Sequence, residues 1–394
     1  MSGGMRTSTN NTDVRRVNRN RVFRFINHTK ETCMSEISSA LEISGPTVMS
    51  IVKELKEAGV IREVGEYEST GGRKAKAIAS VKDFQYTIGV DITLNHVGLV
   101  YTDLSEEALA HRRIPKPFRN DKQYIEEIAD IVEQFVEEND VPQERILGMG
   151  VSLPAIIDQT RQMIPNSHVL GYYDVPCEEW ISRMPYPCVV MNDASAAALA
   201  EVAGEKRQES MVYLLLSNSV GGAVFLRPEN KNGDEEGNAS SSRVYTHEGD
   251  HWRSSEFGHM TLYPGGEPCY CGKKGCVDVY CSAKKLAELE NGKLERFFEK
   301  LEEGEPEYRD VWDRYLDHLA VTVDNLRMAF DCDVVLGGYV GSFIGPYIKE
   351  LRSRLAALDI FDHDGSYARA CRYQKEASAL GAALYQMEEY ISSI

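Results

Sequence analysis

Nowhere in its 394 residues does the chain carry an apolar run long enough to cross a bilayer. Its opening stretch is polar and arginine-rich and lacks the hydrophobic segment of a secretory signal, so a cytoplasmic location is expected. Nine scattered cysteines suit a reducing compartment better than a disulfide scaffold. Basic charge is also short: 44 Lys and Arg face 61 Asp and Glu, a net of −17. What remains is a soluble globular chain, 42% hydrophobic and 27% charged, long enough for two or three domains.

The charge deficit is uneven. Residues 1–82 hold 14 Lys and Arg against 9 Asp and Glu, whereas residues 83–394 hold 30 against 52. Only the first part is suited to approach a polyanion. There, Val22, Phe23 and Ile26, then Met34, Ile37 and Leu41, recur at helical spacing, and a tight turn at 42–44 precedes a helix over 46–58. Ser44 can cap that helix and Pro46 suits its first turn. Two alternating segments, 60–64 and 75–79, flank the glycine-rich basic tip 69–74 and predict a wing. The pattern is a winged helix-turn-helix, with DNA as its partner. Thr47, Ser50 and Lys53 would face the major groove, Arg73 and Lys74 the minor groove, and an arm of Arg15, Arg16, Arg19, Arg21 and Arg24 the phosphates. A small helical bundle that binds a protein is the blander alternative.

Further along, His259, Cys269, Cys271 and Cys276 form a compact four-ligand set. Neutral imidazole and thiolates are the donors of a closed tetrahedral Zn²⁺ site, and Gly272 and Gly275 allow the sharp turns that converge the sulfurs. One structural zinc per chain is therefore expected. Glu256, three residues before His259, would be aimed by the same clip into a neighbouring cleft. Between these landmarks the chain alternates strands and helices: strands at 86–91, 97–101, 146–151, 188–191, 211–216, 220–225 and 333–336, and helices near 125–135, 317–330 and 376–387. Residues 231–242 read as a polar insertion without chemistry.

At this point the chain resembles the ROK group, named for repressors, open reading frames and sugar kinases. The likeness lies in the winged helix, Gly71-Gly72-Arg73, Pro165-Asn166, Asn192-Asp193-Ala194, Glu256-x-Gly-His259, the Cys-x-Cys-Gly-x-x-Gly-Cys stretch at 269–276 and Leu336-Gly337-Gly338. The resemblance implies a winged-helix regulator with a two-lobed α/β body of the actin, Hsp70 and hexokinase type. Residues 1–82 would bind DNA. The first lobe would span 83–191, completed by the C-terminal helix 376–394, and the second lobe, with the zinc loop and dimerisation surface, 192–375. It also implies sugar contacts from Asn166, Asn192, Asp193, Glu256, His259 and Asp278, with Asp193 at the position of the kinases' general base. Asp278 stands where the family usually has Glu, one carbon shorter. The bare residues allow a simpler role for Asn192-Asp193, as the turn that opens an Ala-rich helix.

Phosphate transfer in this family needs Asp-x-Gly-Gly-Thr after the first strand, because backbone N–H groups reach phosphates only where side chains are absent. Here the loop is Asp91-Ile92-Thr93-Leu94-Asn95, and the second loop, 217–223, keeps two glycines. The expectation is a sugar-responsive regulator without kinase activity. It would be a homodimer on an inverted-repeat operator, with pairing of dimers left open and the effector a sugar or sugar phosphate. An ATP-dependent sugar kinase with an added DNA-binding domain is the rival.

Overall fold

The computed structural model describes residues 11–67, 75–203, 209–226 and 246–394. Helices α1 (Asn11–His28), α2 (Met34–Leu41) and α3 (Gly45–Glu57) precede an antiparallel hairpin of β1 (Ile61–Tyr67) and β2 (Ala75–Ser80). Glu42, with a left-handed φ of 53°, makes the sharp turn between α2 and α3. Ser44 stands at the N-cap position, but its hydroxyl meets Thr47 Oγ1 at 2.7 Å and caps no backbone N–H, contrary to expectation. Val22, Phe23, Ile26, Ile37, Val48, Ile51 and Leu55 converge in one core, yet Leu104, Met387 and Ile391 from far along the chain are needed to complete it.

The expected arginine arm is instead part of α1, and most of its guanidinium groups are engaged within the chain. Arg24 pairs with Glu388, Arg19 bonds the carbonyls of Ser393 and Ile394, and Arg21 donates to Leu41 O at 3.2 Å. Arg15 reaches Glu54 and Ser50, while Arg16 is exposed. A regular helix presents side chains on all sides, so arginines facing the body become anchors.

The body starts with β3 (Tyr86–Ile92), β4 (His96–Thr102), β5 (Ala110–Pro115), α4 (Lys122–Glu138) and β6 (Ile146–Leu153). A small antiparallel sheet follows, β7 (Ile156–Asp158), β8 (Met163–Ser167) and β9 (Tyr172–Pro176), then α5 (Glu178–Ile181), β10 (Cys188–Asn192) and α6 (Asp193–Ala203). The first large sheet has the order β10-β6-β3-β4-β5, with β10, β6 and β3 parallel. Its strands read as nearly continuous apolar runs because both faces are covered. Ile125, Ile128, Val132 and Phe135 of α4 pack on one side.

The second half contains β11 (Met211–Leu216), β12 (Val220–Phe225), α7 (Val277–Cys281), α8 (Ala283–Ala287), α9 (Leu294–Glu302) and α10 (Pro306–Phe330). It closes with β13 (Asp333–Gly337), α11 (Gly338–Ile344), α12 (Ile348–Leu358), β14 (Ala368–Ala370) and α13 (Ala377–Ser393). The sheet order is β12-β11-β13-β14. Helix α10 begins eleven residues earlier than its sequence pattern, at Pro306, and α13 runs past the periodic stretch 376–387 to Ser393, as far as the resemblance implied. That continuation carries Glu388 and Ile391 into the winged helix.

Helices α6 and α13 occupy the centre. The former covers the second sheet with Ala194, Ala197, Ala198 and Val202, and α13 lies against β3, β4 and β6 of the first sheet. Small side chains let the two helices nearly touch: a Cβ built on Gly381 would lie 1.6 Å from Ala196 O. The expected polar insertion, 231–242, lies outside the described residues.

Candidate functional site

Strand β10 ends at Asn192 and α6 starts at Asp193, so the switch from strand to helix sets Asn192 in the wall of the cleft between the sheets, with Asp193 next to it in the chain but not part of that wall. Asn192 uses both ends of its amide internally: Oδ1 accepts from Ser195 N at 2.9 Å and Nδ2 donates to Ala155 O at 3.0 Å. The helix-opening role allowed by the sequence is thus present, with Asn192 as the cap. Asp193 Oδ1 accepts from Ala194 N at 2.9 Å. Dehydration by the surrounding protein, then repulsion from Asp91 and Glu256, pushes its carboxyl pKa up to about 8. Asp91 at the end of β3 is raised to about 6 by dehydration, partly offset by the 2.8 Å bond from Ser152 Oγ.

A cleft of about 390 Å³, counted out to solvent, opens beside these residues and is walled in part by Asn192, Ser195, Gly221, Glu248, Trp252 and Glu256. Three of these residues, Ser195, Glu248 and Trp252, were not singled out from the sequence. Glu248 Oε1 accepts from Thr246 Oγ1 at 2.6 Å and Ser195 Oγ at 3.4 Å, and burial raises its pKa. Trp252 and Ser255 hold left-handed φ values of 57° and 69°, a strained conformation for such side chains that often marks binding loops.

Glu256 opens the short turn Phe257–His259, and its carbonyl accepts from His259 N at 3.0 Å. One ligand atom each from His259, Cys269, Cys271 and Cys276 lies within 4.8 Å of all the others. Cys271 and Cys276 sulfurs are 3.7 Å apart, and Cys269 Sγ is 3.9 Å from His259 Nδ1. Those separations match the edges of a tetrahedron with metal–sulfur bonds of about 2.3 Å. His259 Nε2 points the other way, 3.5 Å from Tyr270 OH. Gly275, at φ 74°, is required because a Cβ there would stand 1.6 Å from Tyr263 O.

The remaining expected residues are less uniformly placed. Asn166 on β8 contacts His168 Nε2 at 3.0 Å while its Oδ1 is buried without a hydrogen-bond partner, and the His168 ring lies 6.3 Å from that of His259. Asp278 is outside the cleft wall: buried on α7, it accepts from Val220 N at 2.6 Å and so anchors the second glycine loop. One carbon less than Glu leaves it at the backbone.

Where kinases of the resembled group would cradle phosphates, Thr93 Oγ1 is tied to His96 N at 3.0 Å, and Leu94 projects into solvent. Gly338, φ 76°, forms the strand-to-helix turn anticipated for Gly337-Gly338 and lies against Leu216 and Ser217. Beside it, Arg113 donates to Tyr339 OH at 3.0 Å with its guanidinium carbon 4.8 Å from the ring centroid. This contact bridges β5 and α11 across the interlobe gap.

On the winged helix, Ser50 and Lys53 are exposed, Thr47 is half-buried, and Lys53 Nζ lies 3.8 Å from Glu57. Arg73 and Lys74 fall outside the described residues.

Residues 87–389 match the ROK family, and residues 18–62 match a winged helix-turn-helix DNA-binding family. The xylose repressor of Bacillus subtilis strain 168 is 24% identical over 281 residues, 70% of this chain and 68% of that protein. A solved ROK family transcriptional regulator, a homologue of the Escherichia coli Mlc protein, superposes with a TM-score of 0.72 at 18% identity, over 96% of this chain and 98% of that one. A Streptomyces griseus ROK glucokinase bound to glucose and AMPPNP gives 0.62 at 21% identity, over 76% of this chain and 98% of that one.

Proposed function

The chain belongs to the ROK family, and from that premise we propose that it is a sugar-responsive transcription regulator, a repressor of carbohydrate-metabolism genes. A sugar bound in the interlobe cleft would alter operator affinity. One observation carries this: α13 packs at one end against α6, whose first residue is Asp193, and at the other donates Met387 and Ile391 to the winged-helix core. A shift of α6 on ligand binding is thus delivered to the DNA-binding elements through packed side chains. The protein would act in the cytoplasm as a homodimer on an inverted repeat, with Thr47, Ser50, Lys53, Arg73 and Lys74 at the DNA. In the cleft, Asn166, Asn192, Asp193, Glu256 and His259 would serve the sugar, while the backbone bond of Asp278 favours a supporting role.

The donor set and spacing of His259, Cys269, Cys271 and Cys276 suit zinc, whose part when bound is to cross-link the loop. His259 would then bind through Nδ1 and keep Nε2 at Tyr270 OH, and its turn holds Glu256 in position. Kinase activity is not part of this proposal. The Arg113–Tyr339 contact and the side chains of Leu94 and Ser217 take the place of glycine backbone at the phosphate loops.

Full-length protein should bind an inverted repeat selected from a random DNA pool, and a sugar should change that affinity about fivefold or more. Lys53→Glu should weaken binding and lower its salt dependence, since a phosphate contact becomes a repulsion. Sugar-dependent ATP consumption, with DNA binding indifferent to every sugar, would establish the kinase rival instead.

Asp193→Asn provides a second check with a defined pH signature. The folded carboxyl, near pH 8, lies above its ordinary 3.8, so the folded state binds the extra proton between those values. Wild-type stability from this group therefore falls as pH rises from about 4 to 8. Asparagine does not titrate: the variant should match wild type in melting below pH 4 and exceed it above pH 8. Its sugar affinity should fall by about 1–3 kcal/mol. Identical melting curves at pH 5 and 9 would remove Asp193 from its dehydrated position.

A further inference from the structure

The cleft has a charge character that bears on which sugars enter it, given the sugar-binding reading above. Glu248 and Glu256 wall it from the two ends of one loop, and Asp193 and Asp91 stand behind, within electrostatic reach. Among the described lining residues there is no lysine or arginine. Of the basic side chains only His247 acts on Glu248, and none acts on Glu256. Of the cations nearby, Lys273 Nζ bonds His259 O at 2.7 Å, Arg113 is held on Tyr339, and Arg253, on the loop between the two glutamates, is exposed and not part of the cleft wall.

A helix N-terminus could still attract an anion, and that of α6 opens beside the cleft. Its first turn is already served by its own side chains. Ser195 N donates to Asn192 and Ala194 N donates to Asp193, which also places an acidic side chain at the positive end of the helix. Glu256 is solvent-exposed, so a group projecting outward from the cleft meets a carboxylate as well.

We infer that the effector is an unphosphorylated sugar, and that Glu248 and Glu256 reject its phosphate ester. Hydroxyl groups donate to these carboxylates, whereas a phosphate brings only acceptors and two further negative charges. Glu248 is in this view a specificity residue. It repels the wrong ligand while its bonds to Thr246 and Ser195 hold it in the wall.

Calorimetry on the full chain with xylose, glucose and N-acetylglucosamine, each beside its terminal phosphate monoester, tests this at pH 8. At least one parent sugar should bind, and its ester on the order of a hundredfold more weakly. Glu248→Gln should narrow that gap about fivefold or more, and Glu256→Gln should do so independently. Should Glu248→Gln fail to melt cooperatively, Glu256→Gln and the wild-type ratio still decide the matter. An ester that binds wild type as tightly as its parent overturns the inference but leaves the sugar-responsive reading intact. So does a gap that neither variant changes. Absence of binding by both classes removes the sugar-responsive reading, and this inference with it.

Discussion

Cys276→Ser is expected to strip the metal site and cost several kcal/mol of stability, because metal binding at such sites is coupled to folding. Wild-type protein should carry about one zinc per chain by the four-donor logic, and the variant almost none. Cys276 is wholly buried and sits at the start of α7, whose Val277 N bonds Met260 O at 2.9 Å beside the His259 turn. Losing its thiolate therefore loosens both the turn bearing Glu256 and the helix whose Asp278 holds Val220. A fall in melting temperature of roughly 10 °C or more and loss of sugar response should accompany the loss of zinc. Cys281→Ser, a buried cysteine outside the donor set, should keep the metal. Metal-free wild type with a normal sugar response would sink the zinc assignment.

Gly381→Ala is expected to be the most damaging single methyl group in the chain's centre. The added carbon would meet Ala196 O at 1.6 Å and Ala196 C at 2.4 Å, backbone that cannot rotate away. Helix α13 has no room to retreat, since Cβ atoms on Gly89 and Gly150 would already stand 1.7 and 2.3 Å from the carbonyls of Ala379 and Ala382. The cost should reach about 3 kcal/mol or more, the upper range for overpacking. Gly345→Ala, where nothing lies within 4 Å of the new carbon, should change stability by less than about 1 kcal/mol. Urea midpoints of the two variants make the comparison, and equal midpoints would show that α6 and α13 do not meet as described. Because this seam joins the Asp193 helix to the winged helix, any folded fraction of Gly381→Ala should also respond poorly to sugar.

Legibility in the sequence followed locality. The metal donors fall within 18 consecutive residues, and spacing with two glycines is enough to identify such a set before any fold is known. Asn192 and Asp193 were readable as a strand-to-helix junction for the same reason. The cleft wall was not. Ser195 and Glu248 are 53 positions apart and meet through a side-chain hydrogen bond, and Glu248 follows a polar stretch where an acidic residue looks solvated. Asp278 was legible as an acid near the cysteines, but its direction depends on where Val220 arrives from another strand.

The first 82 residues show the division most plainly. Helical periodicity, Pro46 and the wing's alternation follow from short-range rules, and by themselves they determined a winged helix-turn-helix. Charge asymmetry marked these residues as the part suited to a polyanion, and how they join the body was decided by tertiary structure. The winged-helix core includes Leu104, Met387 and Ile391 from the body, while Arg19 and Arg24, readable as a phosphate-binding arm, fasten α1 to α13. A guanidinium has the same composition in either role. Which anion or carbonyl it meets is set by the packing of α13, whose position depends on contacts hundreds of residues away.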